Sequence, residues 1–299
     1  MKRGLITWDQ AELPRAVFAT RLANARAALA ATGAPALLVY TDIWRANQGR
    51  FLTNFMPYWN RSLAVIPADG DPVLLCGLSP RVYPWIKSVT LFEEIRPASK
   101  LVPTLLKLCE ERGWKTLGVL DLLRLPHEVH GPVAAASIAL KDVRLITLDD
   151  AALAMHRRAA ALARSILSDV LPAGVGLTGH QFAGRLERLF RREGAEDLVI
   201  LLSSGGTPPL PATAAPLPVA YSVTIAVEYR GHWARVTRAH GAPPTLEVAF
   251  AAGGGLIENL SGPYPYEMGP GPLTARHVEI THNGARLFHG DTCWKGALL

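Results

Sequence analysis

Residues 219–240 read VAYSVTIAVEYRGHWARVTRAH, and this stretch decides the fold. Ser222–Tyr229 sets polar Thr224 among apolar Val223, Ile225 and Val227, and His232–Arg238 runs on after Gly231. β-branched and aromatic residues suit a pleated surface, and a glycine between two such runs marks a turn or bulge, so the spacing predicts a strand pair. Downstream, Val278–Thr281 and Ala285–Phe288 read as further strands. Upstream, Asp149-Asp150 caps an amphipathic helix over Ala151–Val170, whose apolar face is Met155, Ala159, Leu162, Ile166 and Val170. Pro172 and Gly174 stop it. Thr178 starts a second helix, Gly179–Arg192, which Gly194 ends before a strand over Leu198–Leu202.

The first half of the chain has another rhythm. Phe18, Leu22, Ala25 and Leu29 repeat at helical spacing after Pro14, and Ala36–Tyr40 is a buried strand. Ser62–Pro67 and Val73–Cys76 flank the turn Asp69-Gly70-Asp71-Pro72. A helix over Leu101–Arg112 closes at Gly113, and Thr116–Leu120 and Val143–Thr147 read as strands. Helices alternating with strands imply an α/β domain over 1–148, followed by a second mixed domain over 149–299.

Composition excludes several function classes. A formal charge of +6 is scattered, with only the pairs Arg157-Arg158 and Arg191-Arg192 adjacent in the helices, so a nucleic-acid stripe is not expected. Apolar residues make up 49%, enough for a sizeable core, yet no apolar run approaches the length of a membrane span. Three cysteines, Cys76, Cys109 and Cys293, without CxxC spacing fit a reducing compartment rather than a disulfide framework or a zinc knuckle. The expectation is a cytoplasmic protein with no membrane or nucleic-acid partner, whose charge serves ordinary solvation or attracts a small anionic molecule. The glycine-rich runs Ser203–Thr207 and Gly253–Gly255 lack the spacing of nucleotide loops.

Gly231-His232-Trp233-Ala234-Arg235-Val236-Thr237-Arg238 resembles the Gly-Tyr-x-x-Asp-x-Thr-Arg strand of the creatinase, aminopeptidase P and prolidase-like pita-bread family. Phe51-Leu52-Thr53-Asn54-Phe55, the "helix, Pro-x-Gly, Thr, helix, Gly" order and Gly290-Asp291-Thr292 extend the resemblance over most of the chain. It implies a creatinase-like N-terminal α/β domain and a pita-bread domain shortened near 240–260. It also implies five metal-ligand positions, which align with Thr224, Arg235, no clear histidine, His282 and Gly290. A guanidinium stays charged at any relevant pH and repels a metal pair, so no metal and no other cofactor is expected.

Creatinase, the metal-free hydrolase of that family, uses an active-site histidine, and Ala212 stands at that position. The acid or base would then be His232, His282 or Glu267, the last in the turn Gly262-Pro263-Tyr264-Pro265-Tyr266-Glu267. Trp59, Arg61, Arg235 and Tyr266 are the candidate substrate contacts, with Arg61 and Arg235 as carboxylate clamps. Trp59-Asn60-Arg61 resembles creatinase's clamp, which is reached from the partner subunit and so implies a homodimer. Two functions stay open: a metal-independent hydrolase of a C–N or amide bond in a carboxylated substrate, and an inactive pseudo-peptidase that binds or scaffolds.

Overall fold

The computed structural model describes residues 6–145, 148–204, 207–251, 256–259 and 273–299, with side chains omitted for 256–259. The chain divides into two compact units, Leu5–Thr147 and Leu148–Leu299.

In the first unit α1 (Arg15–Ala30), β1 (Ala36–Thr41), α2 (Asn47–Thr53), β2 (Ser62–Pro67), β3 (Val73–Cys76), α3 (Tyr83–Val89), β4 (Glu94–Pro97), α4 (Leu101–Arg112), β5 (Thr116–Leu120), α5 (His127–Ala135) and β6 (Ala139–Val143) follow in order. They build a six-stranded sheet in the order β4-β3-β2-β1-β5-β6. Central β1 pairs antiparallel with β2 and parallel with β5. Every residue of β1 and β2 is buried, as expected of strands covered on both faces. Leu38, Leu63, Val65 and Val119 pack with Leu105, Leu108, Val129 and Val133 of α4 and α5. The last strand departs from the expected Val143–Thr147. It runs earlier because Ala139 opposes Thr116, and Arg144 pairs with Asp142 and Asp121. Residues 146–147 lie outside the described part.

In the second unit come α6 (Asp150–Val170), α7 (Gly179–Arg192), β7 (Asp197–Ser204), β8 (Leu210–Pro211), β9 (Tyr221–Tyr229), β10 (His232–His240), α8 (Pro244–Ala251), β11 (Leu256–Asn259), β12 (Leu273–His282), β13 (Ala285–Trp294) and β14 (Ala297–Leu298). The Asp149 carboxylate accepts the Ala152 N–H at the start of α6, and Thr178 and Gln181 form a reciprocal cap on α7. The sheet has eight strands in the order β11-β12-β13-β10-β9-β7-β8, with β14 added to β13. Its two central hairpins close with two-residue turns. Arg230 (φ 49°) and Gly231 (φ 82°) join β9 to β10, and Asn283 (φ 48°) and Gly284 (φ 77°) join β12 to β13. Positive φ at both turn positions is the type I′ geometry that matches strand twist. Among the described residues no helix is long and apolar enough to cross a membrane.

Candidate functional site

Strand register sorts the side chains of β9, β10, β12 and β13 onto two faces. Directly opposed residues share a face and successive residues alternate. Thr224 opposes Thr237, Arg235 opposes Ala226, Thr237 opposes Gly290, and Gly290 opposes His277. One face therefore carries Thr224, Arg235, Thr237, Gly290 and His277. His232 and Arg238 point to the other face, the one α6 covers.

The α6 side is structural. Asp291, 1% exposed, accepts from Arg164 Nη1 of α6 at 3.0 and 3.1 Å and from Arg238 Nη2 at 2.8 Å. Arg238 Nη1 also donates to the carbonyls of Thr237 and Gly290, each at 2.8 Å. One buried carboxylate thus ties α6, β10 and β13 together. His156 of α6 packs edge-on against His232, with ring centroids 5.0 Å apart. Its Nδ1 lies 2.7 Å from the Trp233 carbonyl, an acceptor, so Nδ1 carries the proton. Burial lowers the His156 pKa to about 4, the carbonyl bond opposing it.

That shift gives a stability prediction. The folded chain keeps His156 neutral, whereas an unfolded chain protonates it below about pH 6.5. His277 is depressed to about 4 as well. The unfolded state binds more protons in this window, so stability is full above pH 6.5 and falls as pH drops toward 4, at about 1.4 kcal/mol per pH unit per group. Urea midpoints measured from pH 7.5 to 4.5 check it; a His156→Gln variant should flatten the curve, and an unchanged slope would refute the assignment.

The opposite face is a different environment. Thr224 and Thr237, both buried, meet through their hydroxyls at 3.0 Å. The Arg235 backbone is pinned to Thr292, whose Oγ1 accepts from its N–H at 2.8 Å and donates to its carbonyl at 3.1 Å. His277 sits in the space that Gly290 leaves: a Cβ at Gly290 would lie 2.7 Å from His277 Nδ1 and 2.8 Å from Cε1. Burial, and then the Arg235 charge, depress the imidazole's proton affinity, so it is neutral at pH 7.

The structure does not gather all the residues expected from sequence. His232 faces α6 and bonds through Nδ1 to the Arg230 carbonyl at 2.8 Å. His282 opposes Ala285 beside the β12–β13 turn, on the face opposite Arg235, with Nε2 3.1 Å from Asn283 Nδ2. Neither shares a face with Arg235, because each is an odd number of residues away in register. Tyr266 and Glu267 lie outside the described residues. Trp59 is 70% exposed and lines a cavity of about 170 Å³ with Tyr58 and Trp85. Arg61 pairs with Glu128 beside a cavity of about 310 Å³ that Asn60 and Lys100 also line. Ala212, just after β8, is half-buried. The residue that sequence reading missed is His277. The signal was present: counting back from the Asn283-Gly284 turn pairs Gly290 with His277, not with His282.

No family model and no curated relative matches the sequence. Solved structures do match the fold. An X-Pro aminopeptidase from Thermotoga maritima MSB8 superposes with a TM-score of 0.69 at 15% identity, covering 90% of this chain and 93% of that one. Dipeptidase PepE from Mycobacterium ulcerans gives 0.65 at 18% identity over 98% and 96%. The fold is the pita-bread fold of these peptidases. An X-prolyl aminopeptidase from Caenorhabditis elegans, described as a cytosolic enzyme with a di-nuclear active site, gives 0.58 at 11% identity over 96% of this chain and 60% of that one.

A two-metal centre needs several carboxylates or imidazoles converging on the ions. Around Arg235 the described part of this face offers the hydroxyls of Thr224 and Thr237, a guanidinium, a glycine and the His277 imidazole, with one buried carboxylate, Glu228, further along β9. Among the described residues no three histidine, cysteine, aspartate or glutamate side chains group to hold a metal ion. This donor set does not fit a metal pair. A guanidinium fork matches two carboxylate oxygens, and the hydroxyls of Thr224 and Thr237 are neutral.

Proposed function

We propose that the chain is a metal-independent protein that binds a small carboxylated molecule through Arg235 and hydrolyses a C–N or amide bond in it. The reaction class is drawn from the peptidases that share its fold. The observation that carries the reading is the placement of Arg235 beside Thr224, Thr237 and His277 on one face of the sheet, with no cluster of metal donors among the described residues. A homodimer is part of the proposal, resting on the creatinase-like clamp of Trp59 and Arg61. Sedimentation equilibrium returning the monomer mass removes that part.

A second reading, binding without turnover, is favoured by one observation. His232 and His282, the imidazoles that sequence nominates for acid–base work, lie away from Arg235.

Calorimetric titration with N-acetylglycine and with its neutral analogue N-acetylglycinamide tests the anion site. The acid should bind and the neutral amide should not. Arg235→Gln should weaken binding by about 10–150-fold, the equivalent of about 1.5–3 kcal/mol for hydrogen bonds to a charged group. Equal binding of acid and amide, or an Arg235→Gln variant that binds normally, counts against the reading. Elemental mass spectrometry of the same protein completes the test, since a stoichiometric metal would overturn metal independence.

A further inference from the structure

We infer that His277 is the acid–base residue of this site and that a carboxylate bound at Arg235 brings it into its working state. The inference rests on the reading of Arg235 as the carboxylate anchor and goes beyond it by naming the group that moves the proton.

Three structural facts carry it. His277 shares a sheet face with Arg235, Thr224 and Thr237, through the pairing of β12 with β13 and of β13 with β10. Its Nε2 is buried and has no hydrogen-bond partner among the described residues. A buried ring nitrogen left without a partner is uncommon and calls for an explanation, of which a reacting group or ligand is one. The third fact is the space itself. The ring lies over Gly290, where any side chain would collide with it, so the chain keeps a vacancy that suits this imidazole.

The electrostatics explain why a carboxylate matters. Among the described residues, the charged or titratable groups around His277 are Arg235 from β10, His289 from β13, and Arg276 and Glu279 from its own strand β12. His289 is itself held at 3.1 Å from Glu247 of α8. Burial is the first cause of the depressed imidazole pKa and the Arg235 charge the second. A carboxylate on Arg235 cancels that second influence, so the imidazole regains basicity when the anion arrives. In the step itself a water oxygen attacks the amide carbonyl carbon while Nε2 accepts the water proton. The C–N bond then breaks, and the imidazolium returns that proton to the departing nitrogen. Nothing is oxidised or reduced.

NMR of protein labelled with ¹⁵N-histidine tests both halves, with His277 assigned by the signal missing from His277→Gln. Saturating N-acetylglycine should raise the His277 titration midpoint by about one pH unit or more, and Arg235→Gln without ligand should raise it too. A panel of N-acyl amino acids is then assayed for amide cleavage. His277→Gln should lose roughly 10²–10⁴-fold in turnover while its N-acetylglycine affinity stays within about threefold. Binding without any movement of the His277 midpoint overturns the switch. Turnover by His277→Gln at the wild-type rate overturns the assignment, as does wild-type protein that binds these acids and cleaves none of them. Failure of wild-type protein to bind any carboxylate instead removes the Arg235 reading, and this inference with it.

Discussion

Replacing Asp291 with alanine should destabilise the chain by about 3–5 kcal/mol, the range for removing one partner of a buried charge cluster. The carboxylate is 1% exposed and accepts hydrogen bonds from two guanidinium groups, Arg164 on α6 and Arg238 on β10. Its loss leaves two cations facing each other at the junction of a helix and two strands. It also frees the Thr292 N–H, which the same carboxylate accepts at 3.1 Å. Removing a cation should do less. Arg164 is 32% exposed at its side chain, so water can solvate part of what remains, and Arg164→Ala should cost about 1 kcal/mol. Thermal unfolding measures both. With about 2–4 °C per kcal/mol for a domain of this size, Asp291→Ala should melt about 10 °C lower. Equal, small shifts for the two variants would mean that the triad is solvated and not a tie between α6 and the sheet.

Gly290→Ala should also destabilise the chain, by about 1–3 kcal/mol, as for overpacking elsewhere in well-packed cores. The new Cβ would stand 2.7 Å from His277 Nδ1 and 2.9 Å from the Arg276 carbonyl oxygen. The imidazole can swing away, whereas the carbonyl belongs to a paired strand and cannot. A double-mutant cycle separates the two. His277→Ala in the Gly290→Ala background should recover the part due to the ring and leave the part due to the backbone. Simple additivity of the two variants would show that Gly290 and His277 do not share this space. The same Gly290→Ala variant should displace His277 without changing its chemistry, so its N-acyl amino acid turnover should fall along with stability.

Most of the architecture is legible in the sequence because local rules govern it. Pro14, Gly113, the Asp149 cap and the Thr178–Gln181 box mark helix ends by supplying or withholding backbone hydrogen bonds. Alternating β-branched residues about Gly231 specify a hairpin, and the strand pair forms with Thr224 opposite Thr237. The short helices α2, α3 and α5 do not stand out in the sequence, since seven to nine residues carry too little periodicity. β6 starts four residues before the strand expected from sequence for a related reason. Its side chains are mostly exposed, so hydrophobic pattern does not mark its start.

The site divides along the same line. Sequence alone determines that a guanidinium, Arg235, stands between scaffold residues Gly231 and Thr237-Arg238, and the proposed metal independence starts from that permanent cation. Sequence also holds the register of the last hairpin in Asn283-Gly284, because a two-residue turn dictates every pairing behind it. Which imidazole faces Arg235 is decided by tertiary structure. His232 and His282 are ordinary strand histidines in sequence, and the pleat turns both away; His277, inconspicuous in sequence, is carried by two successive strand pairings onto the face of Arg235. The tie of Asp291 to Arg164, 127 residues earlier, is likewise beyond sequence reach. Side-chain alternation is local, but which strands become neighbours is settled only when the whole sheet and its covering helix close around a shared core.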